Sequence, residues 1–236
     1  MTLGIGAARY LLILCWALTL VAGAAGPTSG ESFADLYLGA AITESTTFIH
    51  RFGGLETKSE GIELNRSVSG GLRAGHWFER FPYLGLALDV SHFWPDRSSQ
   101  TVITTIRPSG AQSTDRFPAR HFSITGISID LLLRWPFLAD HEFPNGRLQP
   151  YLTLGPTAFI AQTGRAGSNQ SADDTALGVT AGGGLAWQFH PKAALFAEYR
   201  FTHFHPEFEM RRLGVKVEQD MDINTHHLLL GLSFRF

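Results

Sequence analysis

From Ile223 to Phe236 the chain alternates, with Leu228, Leu230, Leu232, Phe234 and Phe236 on one side and His227, Leu229, Gly231, Ser233 and Arg235 on the other. A period of two is that of a strand, because successive side chains of an extended backbone point to opposite faces. A soluble domain must cover a wholly apolar face that ends on an aromatic residue. Lipid supplies that cover to a membrane strand.

The same period recurs upstream and predicts eight strands. Phe33 to Thr43 sets Leu36, Leu38, Ala40 and Ile42 against Tyr37, Gly39 and Ala41. Arg66 to Phe78 and Tyr83 to Phe93 follow, joined by the short turn Glu79 to Pro82. In Arg120 to Trp135 the apolar phase changes near Gly126, from Phe122 and Ile124 to Ile127, Ile129, Leu131 and Leu133, which predicts a β-bulge there. Tyr151 to Ala161 is the fifth strand, with Pro156 as its weak point, and Ala176 to Phe189 the sixth. After the turn His190 to Ala193, the seventh puts Leu195, Ala197, Tyr199 and Phe201 opposite Glu198, Arg200 and Thr202.

The polar segments Glu44 to Asn65, Trp94 to Ala119, Gln162 to Thr175 and His203 to Asp222 read as four long loops. Between them the connections are short, except Pro136 to Gln149, which exceeds a usual turn. Long and short connections in alternation are the rhythm of a transmembrane barrel, and an even strand count closes it without an edge. The expected fold is all-β, an eight-stranded antiparallel up-and-down transmembrane β-barrel. Both chain ends fall on the short-turn, periplasmic side, where Trp77, Trp135, Tyr151, Trp187 and Phe236 suggest an aromatic girdle.

Alternation alone does not say which face is inside. A soluble eight-stranded barrel would turn its apolar face inward around a ligand. The other face here carries Arg73, Asp89, Asp130, Arg134, Glu198 and Arg200, a poor lining for an apolar ligand and an ordinary one for a membrane-barrel lumen. An isolated buried charge is very unfavourable, so these three acids and three bases are expected to form an ion-pair network that fills the lumen.

The N-terminus agrees with export. Arg9 is the only charge before an apolar run from Tyr10 to Ala22, and Ala22-Gly23-Ala24 offers small residues to a peptidase. Residues 1–25 are expected to be a cleaved signal peptide and 26–236 the barrel domain. The single cysteine, Cys15, lies in that segment behind Leu14, so neither a lipid anchor nor a disulfide is expected. The formal charge is −2, with 19 basic and 21 acidic residues; losing Arg9 leaves 18 against 21, or −3. Nothing in that balance suggests nucleic acid.

Four blocks carry a family resemblance: Pro150 to Pro156 (PYLTLGP), Gly182 to Trp187 (GGGLAW), Ala197 to Thr202 (AEYRFT) and the ending Gly231 to Phe236 (GLSFRF). Together they resemble the small bacterial outer-membrane β-barrel family, which includes the OmpA-type transmembrane domain and the opacity-type surface proteins. The terminal Phe236 is similar to the C-terminal assembly signal of such barrels. The resemblance implies the cell outer membrane, contact with membrane lipid and lipopolysaccharide, recognition of the last strand by the barrel-assembly machinery, and a monomer. It implies little about activity, since the family hosts adhesins, anchors, narrow pores and a few enzymes.

Barrels resembling the lipid A 3-O-deacylase carry a His-x-Ser pair on a late strand and a Glu on the next. Here that place reads His203-Phe204-His205, with Asn224 to His227 where the Glu belongs, and His121-Phe122-Ser123 has the spacing on the fourth strand instead. The expected role is therefore non-enzymatic, structural or surface-interacting, without a cofactor; the alternatives are a narrow porin-like channel or a lipid A-modifying enzyme. His92, His121, His203, His205, His226 and His227 map to the outer strand ends, with Glu207, Glu209, Asp220 and Asp222 nearby. Of these, His203, His205, His226 and His227 are candidate ligands for a metal such as zinc or copper. The plainer account is that histidines settle among lipid headgroups as Tyr and Trp do.

Overall fold

The computed structural model describes residues 30–52, 55–107, 109–164, 171–212 and 215–236, and the expected signal peptide, with Cys15, lies outside them. The described residues form fourteen strands: β1 Glu31–Thr43, β2 Thr46–Phe52, β3 Leu55–Ile62, β4 Ser67–Trp77, β5 Leu84–Phe93, β6 Gln100–Arg107 and β7 Ala111–Phe117 in the first half. The second half holds β8 His121–Arg134, β9 Leu148–Gly164, β10 Ser171–His190, β11 Ala193–Phe204, β12 Glu207–Arg212, β13 Val215–Met221 and β14 Ile223–Arg235.

Eight of them close a barrel in the order β1, β14, β11, β10, β9, β8, β5, β4, every neighbour antiparallel and β4 pairing back on β1. Closure joins the chain ends: Ser32 and Phe236 exchange two backbone hydrogen bonds of 2.9 Å. Leu36, Leu38, Leu86, Ile129, Leu152, Leu154, Leu177, Leu195, Leu228, Leu230 and Phe234 lie exposed on the outer wall, while the charged face turns inward. That orientation separates a membrane barrel from a soluble one, because such a wall is stable only in contact with lipid.

The segments expected as loops are largely strand. The hairpins β2–β3, β6–β7 and β12–β13 rise from three of them and pair into a second, six-stranded sheet in the order β12, β13, β2, β3, β6, β7. The fourth segment extends β9 and β10, which stay in register to Gly164 and Ser171.

No bulge occurs at Gly126. The register of β8 runs unbroken from Leu133 to Ile124 against β5, and Gly126 pairs both Ser91 and Phe159. What changes along β8 is the lumen itself. Phe122 and Ile124 point inward because the part of the barrel interior next to the second sheet is apolar, and they pack with Phe48, Ile62, Phe93, Phe159, Phe204 and Ile223 in one core shared with that sheet. The strand alternates as usual while its environment inverts.

The girdle also needs correction. Trp135, Trp187 and Phe236 are exposed on the wall, but Trp77 and Tyr151 are buried, since they share parity with Arg73 and Thr153 and so face the lumen. Room for Tyr151 comes from Gly184, where an added Cβ would stand 2.6 Å from the phenol ring. The long connection from Pro136 to Gln149 lies at the same end. Its Phe143 is buried, Asn145 donates to Glu31 at 3.0 Å, and the Gln149 amide donates to the Asn145 and Gly146 carbonyls and to Gln188.

Candidate functional site

Two arginines and two carboxylates meet midway along the lumen. Arg73 on β4 lies opposite Asp89 on β5 in the strand register, while Glu198 and Arg200 are two apart on β11 and therefore share a face. Arg73 donates to Asp89 at 3.1 Å and to both oxygens of Glu198 at 2.9 and 2.8 Å. Arg200 donates to the same two acids, to Glu198 at 2.8 Å and to Asp89 at 3.1 Å. Each guanidinium thus bridges both carboxylates, the geometry in which planar donors repay part of their desolvation.

Two phenols complete the ring. Tyr37 donates to Asp89 at 2.6 Å and accepts from Arg200 at 2.9 Å, and Tyr151 donates to Glu198 at 2.7 Å. Asp35 approaches Arg73 at 3.7 Å. None of these three was expected in the network, although Tyr37 and Asp35 lie on the inward parity of β1.

Of the other two charged residues expected in the network, Asp130 adjoins the ring, close enough to feel the charges of Asp89, Arg73 and Arg200, while Arg134 stands apart. Arg134 sits toward the short-turn end of the barrel, where it pairs with Glu31 at 2.6 Å, donates to the Pro82 carbonyl at 2.8 Å and covers the Trp77 ring at 4.3 Å. Arg235 meets the same Glu31 at 3.2 Å, so one carboxylate joins two arginines there. Asp130 is only 1% exposed, and neither carboxyl oxygen has a hydrogen-bond partner among the described residues. Between the ring and the Glu31 cluster lies a cavity of about 20 Å³, lined by Asp35, Trp77, Arg134, Ser233 and Arg235 among others. It has room for about one water molecule.

The four histidines expected to share a metal do not converge. His227 is buried in the lumen, hydrogen-bonded to Ser69 at 3.1 Å and Thr202 at 3.2 Å with its ring edge against Phe93. His226, its chain neighbour, must face the opposite way, and it lies outside between the Tyr199 hydroxyl at 2.7 Å and Glu44 at 3.0 Å. His203 bonds Asn224 at 2.6 Å and His205 bonds Asp222 at 2.8 Å. The hydrogen bond from His226 is the chief reason the Glu44 carboxyl is held below its usual range. Among the described residues, the group whose ligand atoms do come within 4.8 Å of one another is His205, Glu207 and Asp220.

His121 and Ser123 also part company. His121 bonds Asp96 at 2.9 Å, whereas Ser123 lies 3.3 Å from His92, whose other ring nitrogen meets Thr125 at 2.8 Å. At the base of the second sheet, Arg97 is buried between Phe48 and Phe117, at 5.3 and 5.2 Å from their ring centres, and donates to the Pro118 carbonyl at 3.0 Å. Burial, with Arg120 adding repulsion, pushes its guanidinium down to about 10, still protonated at neutral pH.

No curated protein sequence matches the chain. Solved outer-membrane barrels are similar in fold, among them two with TM-scores above 0.5. The outer membrane protein OprG from Pseudomonas aeruginosa is 14% identical with a TM-score of 0.59, over 89% of this chain and 98% of its own. The outer membrane protein AlkL, solved in DMPC lipid bilayers, is 13% identical with a TM-score of 0.52, over 90% and 93%. A model of the outer membrane protein beta-barrel domain matches residues 15–236. With its lipid-facing wall, closed eight-stranded topology and this match, the chain belongs to the outer-membrane β-barrel family and resides in the bacterial outer membrane.

Proposed function

We propose that the chain is a non-enzymatic outer-membrane protein whose lumen is sealed and whose second sheet is a surface for structural or binding contacts. The observation that carries this reading is the Arg73–Asp89–Glu198–Arg200 ring, whose four charges satisfy one another across the narrowest kind of membrane barrel. Two further layers support it. The apolar core around Phe93, Phe159 and Phe204 fills the outer mouth, and Phe143 with Asn145 lies against the periplasmic end. A solute would have to displace all three.

The wall of exposed leucines suits membrane lipid and lipopolysaccharide, and β14 with the Phe236 that follows it suits the barrel-assembly machinery. A monomer suffices, because the barrel closes on itself. The second sheet offers a different surface: β7 is exposed along nearly its whole length and forms one edge of that sheet. On the outer wall Ser123 meets a histidine that is oriented by a hydroxyl rather than a carboxylate, which favours a binding role over acyl transfer.

A narrow-channel reading has one observation in its favour, the unpartnered Asp130 carboxylate inside the lumen. Planar-bilayer recording separates the two. The sealed reading expects no unitary conductance from wild type and steps from the double variant Arg73→Ala/Arg200→Ala, whereas steady conductance from wild type would overturn it. Unchanged lipid A mass in cells overproducing the protein is expected, and a mass shift would restore the enzyme alternative.

A further inference from the structure

We propose a divalent metal site at His205, Glu207 and Asp220, on the outer side where the β12–β13 hairpin leaves the barrel. The three residues come from three elements. His205 follows β11, Glu207 opens β12, and Asp220 lies opposite Glu207 in the pairing of β12 with β13. Pro206 between the first two fixes its own φ and removes a backbone donor, so it separates the ladders of β11 and β12 and presents both side chains at the same corner.

One imidazole nitrogen and one oxygen from each carboxylate lie within 4.8 Å of one another. Bonds of about 2.0 to 2.2 Å bring tetrahedral ligands to roughly 3.4 Å apart, so small rotations of two exposed side chains close the site. The remaining positions stay open to water.

The imidazole is prepared for the role by a residue outside the ligand set. Nδ1 of His205 donates to Asp222 at 2.8 Å, which fixes the tautomer and leaves the Nε2 lone pair free. A carboxylate behind a histidine is the usual arrangement at protein-bound zinc, where it orients the ring and raises its basicity. The field points the same way. Asp174 accepts from the Glu207 backbone at 2.9 Å, so Asp174, Glu207, Asp220 and Asp222 crowd one corner, where Arg51 is paired with Asp220. A nitrogen with two carboxylate oxygens favours zinc-like first-row ions over calcium or magnesium.

The site departs from the histidine set expected from sequence and keeps only His205 of it. It does not rest on the sealed-lumen reading. An ion there would join the end of β11 to both strands of the hairpin and so clamp the second sheet to the barrel.

The test is calorimetric titration of Zn²⁺ into untagged, full-length protein folded in detergent, with Co²⁺ absorption as a second readout. Wild type is expected to bind one ion per chain and to give a Co²⁺ d–d band. His205→Ala and Glu207→Gln should each abolish the band, and Asp222→Asn should weaken binding about 10- to 100-fold. Arg51→Ala frees the Asp220 carboxylate and should tighten binding, an effect that a purely structural corner would not show. A heat-dependent gel shift confirms that each variant remains a folded barrel. The proposal is overturned if wild type binds no Zn²⁺, or if His205→Ala and Glu207→Gln bind it as wild type does.

Discussion

Arg73 on β4 and Glu198 on β11 belong to strands that never pair, yet they meet inside the barrel through two hydrogen bonds of 2.9 and 2.8 Å. The contact crosses the lumen, so it ties opposite walls together rather than reinforcing a ladder. Its strength depends on what else surrounds the pair. Arg200 and Asp89 supply the opposite charges on each side, and removal of any one member leaves the others buried without full compensation.

Glu198→Gln is expected to destabilise the folded barrel by about 3 to 5 kcal/mol, the usual effect of breaking a buried ion pair from one side. Both arginines then keep only Asp89 as a close ring acid. Urea unfolding in detergent, followed by the mobility shift between folded and unfolded forms, reads the change. A loss below about 1 kcal/mol, a surface-pair value, would show that water enters the ring.

Tyr37→Phe isolates a single hydroxyl. That group donates to Asp89 at 2.6 Å and accepts from Arg200 at 2.9 Å, so its loss leaves the same carboxylate oxygen and guanidinium nitrogen with only their longer mutual bond of 3.3 Å. A destabilisation of about 1.5 to 3 kcal/mol is expected, as for hydrogen bonds to charged groups. Combined with Glu198→Gln, the two losses should fall short of additive because both act on one network.

How much of this was legible follows from particular residues. Alternation places Leu36, Leu38, Leu228 and Leu230 on one wall, and that wall is exposed as the period requires. The same rule puts Arg73, Asp89, Glu198 and Arg200 inside, so the members of the ring can be named from sequence. Their pairing cannot, because contacts across a lumen depend on strand tilt and stagger, which no local pattern encodes. Asp130 and Arg134 share the inward parity, but the first adjoins the ring without a hydrogen bond to it and the second stands apart on Glu31. The histidines teach the converse. Neighbours on a strand face opposite ways, so His226 and His227 are excluded from one site by alternation alone. The apparent bulge at Gly126 arises because Phe122 and Ile124 meet an apolar lumen beneath a second sheet, a fact of tertiary structure. That sheet had only weak local signals: the β-branched run Val102-Ile103-Thr104-Thr105-Ile106 marks β6, but β7 is polar from Gln112 to Arg116 and its pairing partner supplies its conformation.

Phe48→Ala tests whether the second sheet is a unit distinct from the barrel. Phe48 is 1% exposed, packs in the core shared with the barrel mouth and forms one side of the Arg97 sandwich. Its truncation should cost about 3 to 5 kcal/mol of local stability. The expected result is rapid proteolysis in the hairpins with an unchanged heat-dependent shift of the barrel. Loss of both together would mean that barrel and sheet unfold as one.

The second sheet should also loosen in mild acid through His50. Its ring stacks on Phe117 with 6.4 Å between ring centres, and burial lowers its pKa from 6.5, with Arg97 and Arg120 adding repulsion and Asp220 opposing them. A histidine whose folded pKa is depressed binds fewer protons folded than unfolded, so stability is present above about 6.5 and falls as the pH drops toward the folded value. Protease resistance of the hairpins should therefore decline between about pH 7 and pH 5, while the barrel core stays intact. His50→Gln removes the titrating group but keeps a side chain of similar reach, and should flatten that dependence. Glu44 titrates in the acid range below its ordinary value and so acts at lower pH than this window. A pH profile unchanged by His50→Gln would assign the loosening to another group and overturn the role of this ring.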